Sequence, residues 1–136
     1  DFLYNNNLIN EIVDKLFRHR RNDYSEFHLG KPVMLDSTLA QTTLSHQQLR
    51  VHNLNYERLQ VSLFSSSSSD TCIVFTHGYG SNRLECCNIL RALRPPLALC
   101  AIDFSGSGKS EGDLVTYGMK EKEDIRTFVP TKRLYT

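Results

Sequence analysis

No run of apolar residues in this chain approaches the roughly 20 needed to cross a bilayer, so no transmembrane helix is expected. Charge of either sign is also not in excess. Sixteen Lys and Arg against fifteen Asp and Glu leave a net charge of +1 and a pI near 7.9, which removes the basic footprint of a nucleic-acid binder. The four cysteines, Cys72, Cys86, Cys87 and Cys100, contain no C-x-x-C pair. Histidines and cysteines are not spaced as ligands on convergent loops either, so neither a metal nor another cofactor is expected. Three of the thiols lie in apolar runs, where a thiol behaves as a small hydrophobe. The expectation is reduced, mostly buried cysteines in a cytoplasmic protein. A redox role for the vicinal Cys86 and Cys87 is disfavoured because adjacent helix positions face different ways. The opening DFLYNNNLINEI lacks the basic n-region of a signal peptide. The first residue is Asp rather than Met, which points to a fragment or a processed start.

What is present suits a single globular unit or a piece of a larger one: 136 residues, 40% of them hydrophobic. Leu8, Ile9, Ile12, Val13, Leu16 and Phe17 recur at helical spacing and predict an amphipathic helix over about residues 7–19. The cations Arg18, His19, Arg20 and Arg21 close it, in keeping with the helix dipole. A solvated helix end is the simpler reading of this cluster, with peripheral membrane contact as the alternative. Residues 22–43 are irregular, broken by Gly30 and Pro32, and read as an arm laid over the core. Leu49 and Val51, then Leu59, Val61 and Leu63, alternate with polar neighbours around the turn-like NLNYE and predict a half-buried hairpin. Ser65–Ser69 is a low-complexity run read as a flexible surface loop.

TCIVFT (71–76) and LALCAIDF (97–104) are apolar runs without polar alternation, expected as central parallel strands buried on both faces. Between them Leu84, Cys87, Leu90, Ala92 and Leu93 form a helical face that Pro95 and Pro96 end. The sheet is expected to end with the second of these strands, leaving it without a neighbour. A last amphipathic helix spans about residues 117–129 and stops at Pro130. The fold class is α/β. The division expected is an N-terminal helix and arm (1–43), a partial α/β domain (44–129) and an unrelated tail (130–136).

Three motifs overlap in the loop after the second strand. GKSEG (108–112) fits G-x-S-x-G with Ser110 as nucleophile, but Asp103 already ends the strand and no helix follows Ser110 directly, as a nucleophile elbow requires. SGSGKS (105–110) resembles the end of a phosphate loop. That pattern wants glycine where Asp103 stands, and a carboxylate there repels phosphate. A G-x-G-x-x-G fingerprint from Gly106 fails because Glu111 occupies its third glycine.

Taken together, HGYGSNR after the first strand and DFSGSGKSEG after the second, followed by VTYG and E-x-x-D, resemble the α/β-hydrolase superfamily. The nearest branch is the serine aminopeptidase-like (peptidase S33-type) acyl hydrolases of plants and protists. The matching positions are His77, Gly78, Arg83, Asp103, Gly106, Gly108, Ser110, Gly112, Val115, Thr116, Gly118, Glu121 and Asp124, and the resemblance covers nearly all of residues 8–129. It implies that the backbone N–H of Tyr79 is an oxyanion-hole donor. It further implies that His77, Gly78, Arg83, Asp103, Gly106 and Gly108 support the loops, and that His77 is not the catalytic base. The nucleophile, acid and base of such enzymes come later in the chain order, so none is expected in this sequence. The function expected is therefore the N-terminal portion of a serine hydrolase of esters, thioesters or amides, inactive alone, whose parent takes a small-molecule or acyl substrate. The alternatives are a non-catalytic interaction fragment and, more remotely, a nucleotide-binding protein of P-loop type.

Overall fold

The computed structural model describes residues 2–18, 21, 23–29, 44–90, 92–93 and 96–128. Helix α1 (Phe2–Leu16) is followed by a short 3-10 turn at Glu26–His28, and then by strands β1 (Ser45–His52) and β2 (Arg58–Ser65). Next come β3 (Thr71–Thr76), a 3-10 turn at Arg83–Glu85 leading into helix α2 (Cys86–Leu90), β4 (Leu97–Ile102) and helix α3 (Met119–Arg126). The four strands form one sheet in the order β1-β2-β4-β3, with β3 and β4 parallel and the other pairs antiparallel. The chain is α/β, as its pattern predicts.

The hairpin forms where alternation places it, but its strands are not both half-buried: β2, flanked by β1 and β4, is buried on both faces from Leu59 to Ser62, while β1 is mostly exposed. Its turn is fixed by Asn53, whose side-chain oxygen accepts from the N–H groups of Asn55 (2.9 Å) and Glu57 (3.0 Å). This Asx arrangement is a standard way for asparagine to reverse the chain. Ser66–Ser69 likewise make a defined turn, in which Ser69 N–H donates to the Ser66 carbonyl (3.1 Å) and Ser66 N–H to the Ser69 hydroxyl (2.9 Å).

Both faces of the inner strands are covered, and the period-2 geometry of a strand divides their residues between two cores. Leu99, Ala101 and Phe64 pack with Cys86, Leu90 and Leu93 on the α2 side. Cys100, Ile102, Leu59 and Val61 pack with Ile125 and Phe128 on the α3 side. The register aligns Leu99 with Phe64 and Ile102 with Val61, so each cross-strand pair contributes to one core.

Two strand expectations are corrected. β4 is interior rather than terminal, because β2 takes its second hydrogen-bonding edge, and among the described residues β3 lies at one edge and β1 at the other. Nor is β3 buried on both faces: Cys72, Ile73 and Val74 are exposed, and only Phe75 among its apolar residues is half-buried. A continuous apolar run marks a sheet strand but does not carry its rank within the sheet.

Smaller corrections follow. The helix between the parallel strands is a single turn and a half, with Cys86 buried, Cys87 half-buried and Ala92 exposed. Burial pushes the Cys86 thiol up to about 12, helped by neighbouring Cys87, and the Cys100 thiol up to about 11, which makes both poor nucleophiles. Cys72 departs from the expectation of buried thiols. α1 begins earlier and ends sooner than predicted, and α3 is shorter at both ends. The expectations for His19, Arg20, Gly30, Pro32, Pro95 and Pro130, and for the tail at 130–136, lie outside the described residues. No helix among the described residues is long and apolar enough to cross a membrane.

His46, at the start of β1, stacks on Phe64 at 4.5 Å between ring centroids. Burial first, and then the positive charge of Arg83, hold its imidazole below the ordinary histidine value of 6.5. A histidine that resists protonation only when folded withdraws stability as pH falls from about 6.5 towards the lower folded value. Urea titrations should therefore show a declining midpoint below pH about 6.5, and His46→Phe should flatten that decline.

Candidate functional site

Two loops leave the C-terminal ends of the parallel strands, residues 77–82 after β3 and residues 103–118 after β4. This is the edge at which α/β sheets bind ligands. The second loop has almost no regular structure, so its buried backbone groups are satisfied by scattered backbone contacts, such as Gly106 N–H to the Glu111 carbonyl at 2.8 Å, and by side chains.

Asp103 is the centre of that arrangement. Its carboxylate is fully buried. Oδ1 accepts from the Arg83 backbone N–H (2.6 Å), and Oδ2 accepts from the Tyr24 hydroxyl (2.5 Å) and the Lys109 N–H (3.0 Å). The Arg83 guanidinium, also fully buried, lies 4.0 Å away through Nε and pairs with Glu26 at 2.7 Å. Burial, and then the facing Asp103 carboxylate, push the Tyr24 phenol far above its usual value, so it remains a hydrogen-bond donor. Gly108 curls over the carboxylate at φ +50°, and a Cβ there would fall 2.4 Å from Asp103 Cγ. Gly106 is equally constrained, since its Cβ would sit 2.5 Å from the Leu114 carbonyl oxygen at φ +78°.

His77 joins the two loops. Its Nε2 accepts the Phe104 N–H at 3.2 Å, and its Nδ1 lies 2.8 Å from the Gly78 carbonyl oxygen. The neutral ring with its proton on Nδ1 satisfies both contacts at once, leaving neither nitrogen free to take a proton from a substrate. Ser110 is similarly committed. Only 2% exposed, it donates to the Asp103 carbonyl (2.5 Å) and accepts from the Gln60 N–H (2.8 Å).

The end of the second loop is tied down by two further carboxylates. Glu121 accepts from Thr116 N–H (2.8 Å), Thr116 Oγ1 (2.8 Å) and Gly118 N–H (2.7 Å), while Thr116 Oγ1 accepts from Lys120 N–H (2.7 Å). This reciprocal arrangement caps α3. Burial alone would raise the Glu121 carboxyl, but these donors outweigh it and hold it below the ordinary value. Asp124, fully buried, bridges Asn53 Nδ2 (2.7 Å) in the hairpin turn and Ser105 N–H (2.8 Å) in the loop.

A cavity of about 100 Å³ opens where the loops meet, lined among others by His77, Gly78, Tyr79, Phe104, Val115 and Tyr117. A Cβ on Gly78 would meet nothing within 4 Å. The Tyr79 and Tyr117 rings stack at 5.0 Å and both hydroxyls donate to the Leu16 carbonyl (3.2 and 3.0 Å). A more polar recess of about 550 Å³ lies near Tyr24, Arg50, Arg58 and Lys109. Two of its cations are already paired, Arg58 with Glu111 at 3.1 Å and Lys109 with Asp23 at 2.5 Å. Among the described residues no group of three or more His, Cys, Asp or Glu could hold a metal ion.

The structure thus brings His77, Gly78 and Tyr79 to the cavity and gathers Arg83 and Gly108 around Asp103, with Gly106 packed against Leu114 instead. Sequence reasoning missed the contribution of the N-terminal arm. Besides Tyr24 and Glu26, Arg21 donates to the carbonyls of Ser110 and Gly112, and Val115 N–H donates to the Phe17 carbonyl at 2.8 Å. No local pattern marks these residues, whose partners lie more than 50 positions away.

No protein-family model and no curated protein matches the chain. Among solved structures it is similar to the Pyrococcus furiosus esterase Pf2001 in three crystal forms. The TM-scores are 0.57, 0.59 and 0.57 at 22%, 19% and 20% identity, over 72%, 81% and 84% of this chain. The matched region is 39–40% of the esterase, so the chain spans about two-fifths of its length. At this identity the likeness establishes a shared α/β fold.

Two substitutions test the polar framework. Asp103→Asn removes the buried charge that three donors share and leaves Glu26 as the remaining carboxylate on buried Arg83, and should cost about 3–5 kcal/mol in chemical denaturation. Tyr24→Phe should cost about 1.5–3 kcal/mol, and the two should be strongly non-additive because they share one bond. Glu121→Gln should lower stability at neutral pH but not at low pH. A carboxylate held below its ordinary pKa stabilises the fold above that value, and the contribution fades as pH falls through the folded value.

Proposed function

We propose that the chain is the N-terminal portion of a serine hydrolase that cleaves ester, thioester or amide bonds through an acyl-enzyme, in the manner of the S33-type acyl hydrolases. The observation that carries this reading is the cavity between the two strand-end loops. It is lined by Gly78, which nothing in the chain's own packing requires to be glycine, and by Tyr79, the next residue along. In this reading the space beside Gly78 admits the scissile carbonyl, and the Tyr79 backbone N–H donates to the oxygen as negative charge develops on it. Losing one such donor costs on the order of 3 kcal/mol of transition-state stabilisation. His77, Asp103 and Arg83 position the donor loop, while Gly106 and Gly108 let the second loop close around Asp103. The esterase likeness supports a hydrolase-type activity in coarse terms. Placement in the cytoplasm rests on cysteine usage.

The nucleophile is not Ser110 in this proposal. A catalytic serine must be accessible and hydrogen-bonded to a base, whereas the Ser110 hydroxyl is buried between two backbone groups. The phosphate-loop alternative meets a similar obstacle. The Lys109 N–H, which would cradle a phosphate, already binds the chain's own Asp103 carboxylate.

The purified chain should not hydrolyse a short-chain p-nitrophenyl ester. Ser110→Ala should lower stability by about 1–3 kcal/mol through the lost buried hydrogen bonds, with no change in this background rate. Ester turnover abolished by Ser110→Ala would overturn the assignment. ATP binding abolished by Lys109→Ala would favour the nucleotide-binding alternative.

A further inference from the structure

The C-terminal end of α1 is joined to the loop after β4 through the Leu16 and Phe17 carbonyls and the Phe17 ring, which meets Tyr117 edge-on at 5.9 Å. The apolar stripe of the helix is left outside. Leu8, Ile9, Ile12 and Leu16 are 50%, 56%, 46% and 47% exposed. At 100° per residue these four and Val13 fall within an arc of about 140°. Four large aliphatic side chains on one exposed helix face form the kind of contiguous patch that marks an interaction surface.

The charges beside the stripe identify the occupant. Glu11 and Lys15 are exposed, make no ion pair among the described residues, and lie one turn apart along the same edge, next to Leu8. In an antiparallel pair of identical helices like edges face each other with their directions reversed. A two-fold axis near Val13 then sets Glu11 of each copy opposite Lys15 of the other, with Ile9, Ile12 and Leu16 of both between them. A parallel pair would face this edge with the opposite, uncharged one and gain no such match. A membrane surface is a poorer fit. Residues 7–18 carry Glu11, Asp14, Lys15 and Arg18, which sum to zero, and Arg18 is already paired with Asp14 at 2.8 Å, whereas interfacial helices are rich in free cations.

We propose that α1 is a homodimerisation helix that pairs antiparallel with a second copy through Leu8, Ile9, Ile12, Val13 and Leu16, with reciprocal Glu11–Lys15 ion pairs fixing the direction. The surface of one 15-residue helix is smaller than a standard interface of about 1,600 Å², so the dimer dissociates in the micromolar range or above.

Sedimentation velocity across a concentration series tests this, with far-UV circular dichroism confirming that each variant is folded. The wild-type chain should move from monomer to dimer with increasing concentration, and Ile12→Glu, at a site exposed in the monomer, should abolish the shift. Lys15→Glu should weaken the dimer about tenfold, since two attractive pairs become repulsive. The exchange Glu11→Lys with Lys15→Glu should restore wild-type association, because the reversed charges match again. A monomer at every concentration, a dimer indifferent to Ile12→Glu, or a charge exchange that fails to restore association would each overturn the proposal. So would a monomer that instead binds vesicles containing anionic phosphatidylserine.

Discussion

A carboxylate removed from water must be met by hydrogen-bond donors, and in this fold that requirement is met most widely at Asp103. The donors that meet it come from three separate places: the Tyr24 hydroxyl on the N-terminal arm, the Arg83 N–H after β3 and the Lys109 N–H in the residue's own loop. Satisfying one side chain therefore fixes how three segments sit relative to the end of β4. The arm does not merely cover the core. It supplies part of the solvation that lets Asp103 be buried at all.

The same logic repeats around the loop at smaller scale. Residues 103–118 lack the ladder of backbone hydrogen bonds that a helix or strand provides, so the loop borrows acceptors from side chains: Asp124 for Ser105, Asp103 for Lys109, Glu121 for Thr116 and Gly118. Arg21 does the converse and serves the carbonyls of Ser110 and Gly112. Three of these six pins span six residues or fewer and the two from Arg21 span 89 and 91, so the loop is held both by its own neighbours and by the N-terminal arm. A surface built on irregular backbone gains rigidity in this way.

Much of the architecture was legible because periodicity is a local property. Leu59 and Val61 announce a strand by alternation, Leu97–Ile102 by an unbroken apolar run, and Ile125 the inner face of a helix. The loop glycines were legible too, since Gly106 and Gly108 occupy backbone conformations that few other residues tolerate. The rank of β3 was not legible, because its apolar content is the same whether a strand lies at the centre or at the edge. Nor were Tyr24, Arg21 and Glu26, whose roles exist only once the arm has returned to residues some 57 to 91 positions away. Asn53 falls between these cases: its place in a turn could be read locally, but its bond to Asp124, 71 residues distant, could not.

The phosphate-loop reading of this loop turns on a single position. Glycines in a tight turn expose successive N–H groups, and such a nest will bind whatever anion is nearest. With glycine at position 103 the nest would be open to an external phosphate. With aspartate there, the chain carries its own anion on the strand tip, the Lys109 N–H closes on it, and Gly108 must lack a Cβ to make room. The lysine side chain is then free to turn outward to Asp23, and the Ser110 hydroxyl is drawn inward to the Asp103 carbonyl. One residue thus converts the string SGSGKS from a ligand cradle into an internal brace. The loop's share of the cavity wall beside His77 and Gly78 then falls, among others, to Phe104, Ser107, Val115 and Tyr117.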